Sequence, residues 1–203
     1  MNAQHYQVCI LLSDAFESLN KNLIRDLQSP TISDAEKIEL ISKLNEVHHR
    51  LCDIIRLVND LYKYSIMMEL LNNGMGLTTM MFHTLDFSVH LSWWLNSSQT
   101  ISRMIQIVLR LYFLCFSSSE VLTKSKETLN ALIKGYELTY EKRVQRQIQA
   151  FITRIQNERV AFDICGLFCI TSKTFISILR ITTSFVLILI QFNPHPSVRK
   201  DSN

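Results

Sequence analysis

The run from Ile181 to Gln191 is the most hydrophobic in the sequence, and it limits what the chain can fold into. It lies inside an apolar stretch from Ile164 to Phe192 that holds only Lys173 and Arg180 as charges. A second apolar stretch covers Ile101 to Phe116 and is interrupted by Arg103 and Arg110. A third, from Leu70 to Leu85, has no charge between Glu69 and Asp86. Such segments belong in a large helical core or in a bilayer. A membrane span needs about twenty apolar residues. A charge at its centre costs roughly 2.5–3.5 kcal/mol on insertion scales. No stretch meets the length without a charge, so hydropathy alone leaves both options open.

The distribution of basic residues separates them. Residues 87–100 contain no Lys or Arg, whereas 120–160 contain Lys124, Lys126, Lys134, Lys142, Arg143, Arg146, Arg154 and Arg159. The segment before the first stretch is basic as well, with Lys21, Arg25, Lys37, Lys43, Arg50, Arg56 and Lys63. Basic, empty, basic is the alternation that the positive-inside rule gives for consecutive spans. It predicts three spans, with the N-terminus in the cytosol and the C-terminus outside. The 203 residues carry 21 Lys+Arg against 18 Asp+Glu, a net charge of +3 that argues against nucleic acid as a partner. Four Gly and three Pro are too few for a turn-rich all-β fold or a phosphate loop.

Local patterns predict helices throughout. Residues 6–29 read as an amphipathic helix with Val8, Leu11, Leu12, Ala15, Leu19, Leu23 and Leu27 near one face, ended by Pro30. Ser33 and Glu36 have capping-box spacing. Beyond them Leu40, Leu44, Val47, Leu51, Ile54, Val58 and Leu61 recur in steps of four and three, a heptad seam expected to be buried against a partner helix. Trp93 and Trp94 beside Asn96-Ser97-Ser98 suit a membrane interface. In the last stretch Ser177, Ser184 and Gln191 are spaced by seven and share a stripe with Arg180 and Ile188. A polar stripe on an apolar span should face other helices or a water pathway.

The chemistry-bearing residues are sparse. Cys9, Cys52, Cys115, Cys165 and Cys169 form no CxxC pair and are expected to be buried apolar thiols. Cys165 and Cys169 would share a face if their segment is helical. Glu46-x-x-His49 with Asp53 is half of a di-iron pattern without a second half. His83, Asp86 and His90 could share a helix face, but loose motifs match by chance. No catalytic residue, metal or cofactor is therefore assigned. The N-terminus lacks a basic n-region, and Asp14 interrupts its apolar stretch, so no signal peptide is expected.

The segment Cys165-Gly166-Leu167-Phe168, followed by an apolar span ending in Val186-Leu187-Ile188-Leu189-Ile190 and then Gln191-Phe192, resembles the C-terminal signature of insect gustatory receptors. Ser184-Phe185 stands where that family has Thr-Tyr, and Arg180 where it usually has a small residue. The order of segments is similar too, and covers the C-terminal half of the family. The resemblance implies an all-α fold of three polytopic membrane helices with a cytosolic helical anchor region. Residues 1–30 would be a cytosolic stub at the end of the family's span four, and 31–65 a cytosolic heptad helix. Residues 66–90 would be the first span, 91–98 an extracellular loop and 99–119 the second span. Residues 120–163 would be cytosolic anchor helices, 164–192 a pore-lining last span, and 193–203 an extracellular tail.

For function, the resemblance implies a multi-pass plasma-membrane taste receptor, a subunit of a homo- or hetero-tetrameric cation channel gated by a small-molecule tastant. Ile188 would be the gate, Gln191 a polar ring, and Ser177 and Ser184 part of the pore-facing stripe. The tastant-binding residues stay unassigned. The chain is expected to be a truncated or partial receptor. The other reading is a soluble or membrane-associated helical interaction protein without receptor activity.

Overall fold

The computed structural model describes residues 2–29, 32–86, 93–158 and 160–192. It is nearly all helix: α1 (Asn2–Gln28), α2 (Asp34–Asp86), α3 (Trp93–Leu138), α4 (Lys142–Asn157) and α5 (Ser172–Phe192), with a short hairpin of β1 (Asp163–Ile164) and β2 (Phe168–Cys169) before the last helix. Residues 87–92, which hold the end of the expected first span and the start of the expected extracellular loop, and the tail 193–203 lie outside the described residues. The chain divides into two compact units, Met1–Tyr64 with Phe116–Thr171, and Ser65–Cys115 with Ser172–Asn203.

The first unit is a helical cluster closed by the hairpin. Its core packs Leu23 of α1, Ile41 of α2, Leu132 of α3, and Val144, Ile148 and Phe151 of α4. Spacings of four and three put the α4 residues on one stripe, with Lys142, Arg143 and Arg146 exposed on the other side. The Leu27 side chain of α1 packs onto α3 at Gly135, where a Cβ would overlap it. Asn20 ties the same two helices: its amide donates to the Lys124 carbonyl at 3.0 Å, and its carbonyl oxygen accepts from the Thr128 hydroxyl at 2.6 Å.

The start of α2 follows from its cap. The Ser33 backbone N–H donates to the Glu36 carboxylate at 3.0 Å, and the Glu36 N–H donates back to the Ser33 hydroxyl at 3.4 Å. The two bonds satisfy helix-terminal donors reciprocally. The Ser33→Ala substitution should lower stability by about 1 kcal/mol, read as a small fall in thermal midpoint in detergent.

The buried face of α2 differs from the expected heptad seam. Val47, Ile54 and Leu61 are exposed, Leu40, Leu44 and Leu51 are only half-buried, and Val58 is the one seam residue that is buried. The buried stripe runs through Ile41, His48, Cys52, Ile55 and Asn59. That is a rotation of about 100°, one residue along the helix. The partners explain it. His48 stands edge-on between Phe16 and Phe151, with centroids 5.5 and 5.7 Å away, and Asn59 donates to the Asp163 carboxylate at 2.7 Å. Likewise α1 buries His5, Cys9, Ser13 and Asn20 beside Leu12 and Leu19, while Leu11 is exposed.

His5 gives the first unit a pH dependence. It is 2% exposed, edge-on to Tyr62 and Phe162, and burial pushes its pKa from 6.5 down to about 4. The unfolded chain therefore binds the proton more readily. Stability is complete above about pH 6.5 and falls as pH drops towards 4, by up to about 3 kcal/mol for this one ring. Thermal midpoints between pH 7 and pH 4.5 should show the fall, and the His5→Phe substitution should flatten the slope.

The hairpin replaces what the sequence suggests is the opening of the last span. Ile164 and Leu167 close a turn, with the Leu167 N–H donating to the Ile164 carbonyl at 2.8 Å. The central residues, Cys165 (φ 51°) and Gly166 (φ 74°), are both left-handed, as a type I′ turn requires. The Asp163 carboxylate accepts from the Gly166 N–H at 2.8 Å. Cys165 and Cys169 are exposed on this hairpin, contrary to the expectation of buried thiols, and as the segment is not helical they share no helix face; Cys9, Cys52 and Cys115 are buried.

The second unit contains the ends of α2 and α3 that lie between residues 65 and 115, together with α5. Ile66, Leu70, Asn73 and Leu77 form the buried stripe of its α2 segment. A Cβ on Gly76 would meet Ile107 of α3 at 3.6 Å, an ordinary contact. Among the described residues two helical segments are long and apolar enough to cross a membrane, Ser98–Leu138 and Ser172–Leu189. The α2 segment expected as the first of three spans is not one of them. Glu69, Asn72 and Asn73 lower its hydropathy. No break separates the expected second span from the charged region after it, because α3 runs through residue 119 to Leu138.

Candidate functional site

Helix α5 combines the highest apolarity with the least cover. Among its described side chains Val186 and Thr182 are buried, and Phe175, Ile178 and Leu179 are half-buried beside them. Phe175 stands edge-on to Tyr112 of α3, with centroids 5.7 Å apart. At about 100° per residue these positions form one packed stripe. Ser177, Arg180, Ser184, Ile188 and Gln191 project from the opposite side of the helix, and all are exposed. The four residues expected to face a pore therefore share one face, and it is the face turned away from the helix's own packing. Ile188 is 47% exposed, and Ile181, Phe185 and Leu187 beside it are more so. Fully burying such a side chain is worth about 1.5–3 kcal/mol relative to water, so this surface calls for lipid or protein cover.

The hydroxyls of the stripe are satisfied within the helix. Ser177 donates to the Lys173 carbonyl and Ser184 to the Arg180 carbonyl, each at 3.0 Å. Arg180 lies on the stripe, not on the packed side. Along an ideal helix it is about 12 Å from Ile188 and about 16 Å from Gln191.

Other sequence candidates separate. Glu46 pairs with Arg50 at 2.5 Å, and His49 lies 2.5 Å from Glu158 and 3.5 Å from Asp53. The structure describes no side chain for His83 or Asp86, and His90 lies outside the described residues. One cluster is absent from the sequence reading: ligand atoms of His48, Cys52 and Glu158 lie within 4.8 Å of one another. His48 and Cys52 are four apart on α2, a visible signal, but Glu158 closes the α4 helix over a hundred residues away. Burial pushes the Cys52 thiol up to about 12, with the nearby Glu158 charge adding to the shift. Burial also pushes His48 down to about 4.

Comparisons with known proteins agree with the helical layout. The family model described as 7tm chemosensory receptor matches residues 1–194. Two solved structures of the insect olfactory receptor OR5 from Machilis hrabei share the fold. One matches at TM-score 0.77 and 14% identity. The other, in complex with eugenol, matches at 0.76 and 15%. Each match covers 95% of this chain and 48% of the other, so the chain spans about half the length of these receptors. No curated protein matches in sequence.

Proposed function

The chain belongs to the 7tm chemosensory receptor family, and on that premise we propose that it is part of a gustatory receptor, a subunit of a tetrameric cation channel in the plasma membrane that opens on binding a small-molecule tastant. In this reading it is not an enzyme. Residues 66–90, 99–119 and the apolar part of 164–192 span the bilayer, and 31–65 and 120–163 belong to a cytosolic anchor. The last span of each subunit lines one central pore, with Ile188 as the gate and Gln191 as the polar ring.

The observation that carries the reading is the geometry of α5. Its polar stripe and Ile188 are opposite its packed side, as a helix needs if it is to offer that side to equivalent helices around an axis. A ring of isoleucines closes a narrow pore by excluding water, and widening it admits cations. The exposed apolar positions Val47, Ile54, Leu57 and Leu61 on α2 supply a surface for subunit contact in the anchor. A soluble interaction protein would leave α5 in water with its apolar faces uncovered. Arg180 works against cation passage unless it pairs or reaches towards the headgroups.

The test is permeation through the receptor assembled from complete subunits. Gln191→Ala should change the relative permeability of sodium and potassium by severalfold, while Leu179→Ala, on the packed side of the helix, should not. Unchanged selectivity and conductance at Gln191 would remove it from the pore. Reporter fusions placing residues 87–100 in the cytosol would overturn the topology.

A further inference from the structure

The His48–Cys52–Glu158 cluster lies in the first unit, apart from the proposed pore stripe. We propose that these three side chains form a site for a zinc-type transition-metal ion, bound through the His48 ring, the Cys52 thiolate and the Glu158 carboxylate.

The spacing fits the ion. His48 Nδ1 lies 3.5 Å from Cys52 Sγ. A tetrahedral ion with a nitrogen ligand at about 2.0 Å and a sulfur ligand at about 2.3 Å sets those atoms about 3.5 Å apart. All three ligand atoms lie within 4.8 Å of one another, close enough for modest side-chain adjustment to complete the set. Imidazole, thiolate and carboxylate together suit zinc and exclude magnesium or calcium, which take oxygen ligands.

The surroundings point the same way. His48 is 1% exposed and Cys52 is fully buried. Among the described residues four buried side-chain polar atoms lack a hydrogen-bond partner, and one of them, Glu158 Oε2, is a carboxylate oxygen of this cluster open to an ion; His48 Nε2, also unpartnered, is the ring nitrogen on the far side from Cys52. The other Glu158 oxygen is held by His49 Nδ1 at 2.5 Å and Arg154 Nε at 3.4 Å. Such bonds orient a ligating carboxylate from outside the metal's own shell. A cavity of about 640 Å³, lined by His48 and Glu158 together with Ser125, Lys126 and Gln156, borders the site. It offers a route for the ion and room for a water in the fourth position, the three-ligand arrangement of exchangeable sites.

At neutral pH the buried histidine is neutral and presents its lone pair, while the thiol is protonated. Binding therefore replaces the S–H bond by an S–metal bond and releases one proton to solvent. The ion would clasp α2 to the end of α4. This site does not depend on whether the chain conducts.

The experiment uses the full chain in detergent micelles, with the exposed Cys165 and Cys169 changed to serine so that they do not bind metal themselves. Cobalt(II) is added after chelator treatment. The expected result is one equivalent bound, with a thiolate-to-cobalt charge-transfer band and the intense visible bands of tetrahedral cobalt, both abolished by zinc. C52S should remove the charge-transfer band, and E158Q, which keeps the side-chain shape, should weaken binding tenfold or more. C9S, at the other buried His–Cys pair, should leave it unchanged. Absence of the band from the folded parent, or a band that survives C52S, would overturn the site. Unaltered affinity in E158Q would do the same for its carboxylate ligand.

Discussion

Truncating Phe151 to alanine is expected to lower the stability of the first unit by about 3–5 kcal/mol. The ring is fully buried, sits in the core with Ile148 and Leu132, and stands edge-on to His48. Its loss removes apolar contacts from α4 and exposes one side of the buried imidazole. A typical domain has only about 5–15 kcal/mol to lose, so the variant should show a large fall in thermal midpoint and faster amide exchange in α1 and α4. Phe151→Leu should fall between it and the parent. A Phe151→Ala midpoint equal to that of the parent would mean that this core does not hold the unit together.

In the proposed channel, Ile188→Ser is expected to produce current without tastant. The closed gate depends on an apolar ring too narrow and too dry for a hydrated ion, and four hydroxyls would admit water to it. Ile188→Val keeps the ring apolar and should leave basal current low. The readout is holding current in the assembled receptor before and after a pore blocker. A serine variant as quiet as the parent would place the gate elsewhere. Arg180 adds a second variable on the same face: its neutralisation should raise cation current if its charge borders the path.

The parts of this fold that are legible in the sequence are those settled within one helix. The Ser33–Glu36 cap and the one-sided stripe of α5 follow from spacing alone. The α2 face does not, because its buried positions include His48 and Asn59, which a hydropathy pattern scores as outward. Their partners, Phe151 and Asp163, come from much later in the chain. The hairpin at 163–169 is hidden for a related reason. Ile164, Leu167 and Phe168 read as more of the following span, and only the paired left-handed residues Cys165 and Gly166 reverse the chain. The metal-ligand cluster is illegible because α2 supplies two members and the end of α4 the third.

The serine bonds on α5 carry a further consequence. Each hydroxyl hydrogen of Ser177 and Ser184 is committed to a carbonyl one turn back. What these side chains have left to offer is oxygen lone pairs. These two side chains are therefore acceptors without free donors, able to replace part of a cation's water shell. The donors of the outward stripe come instead from the Arg180 guanidinium between them and from the Gln191 amide. A path along this helix would then meet cation-friendly oxygens and a fixed positive charge within one turn of each other.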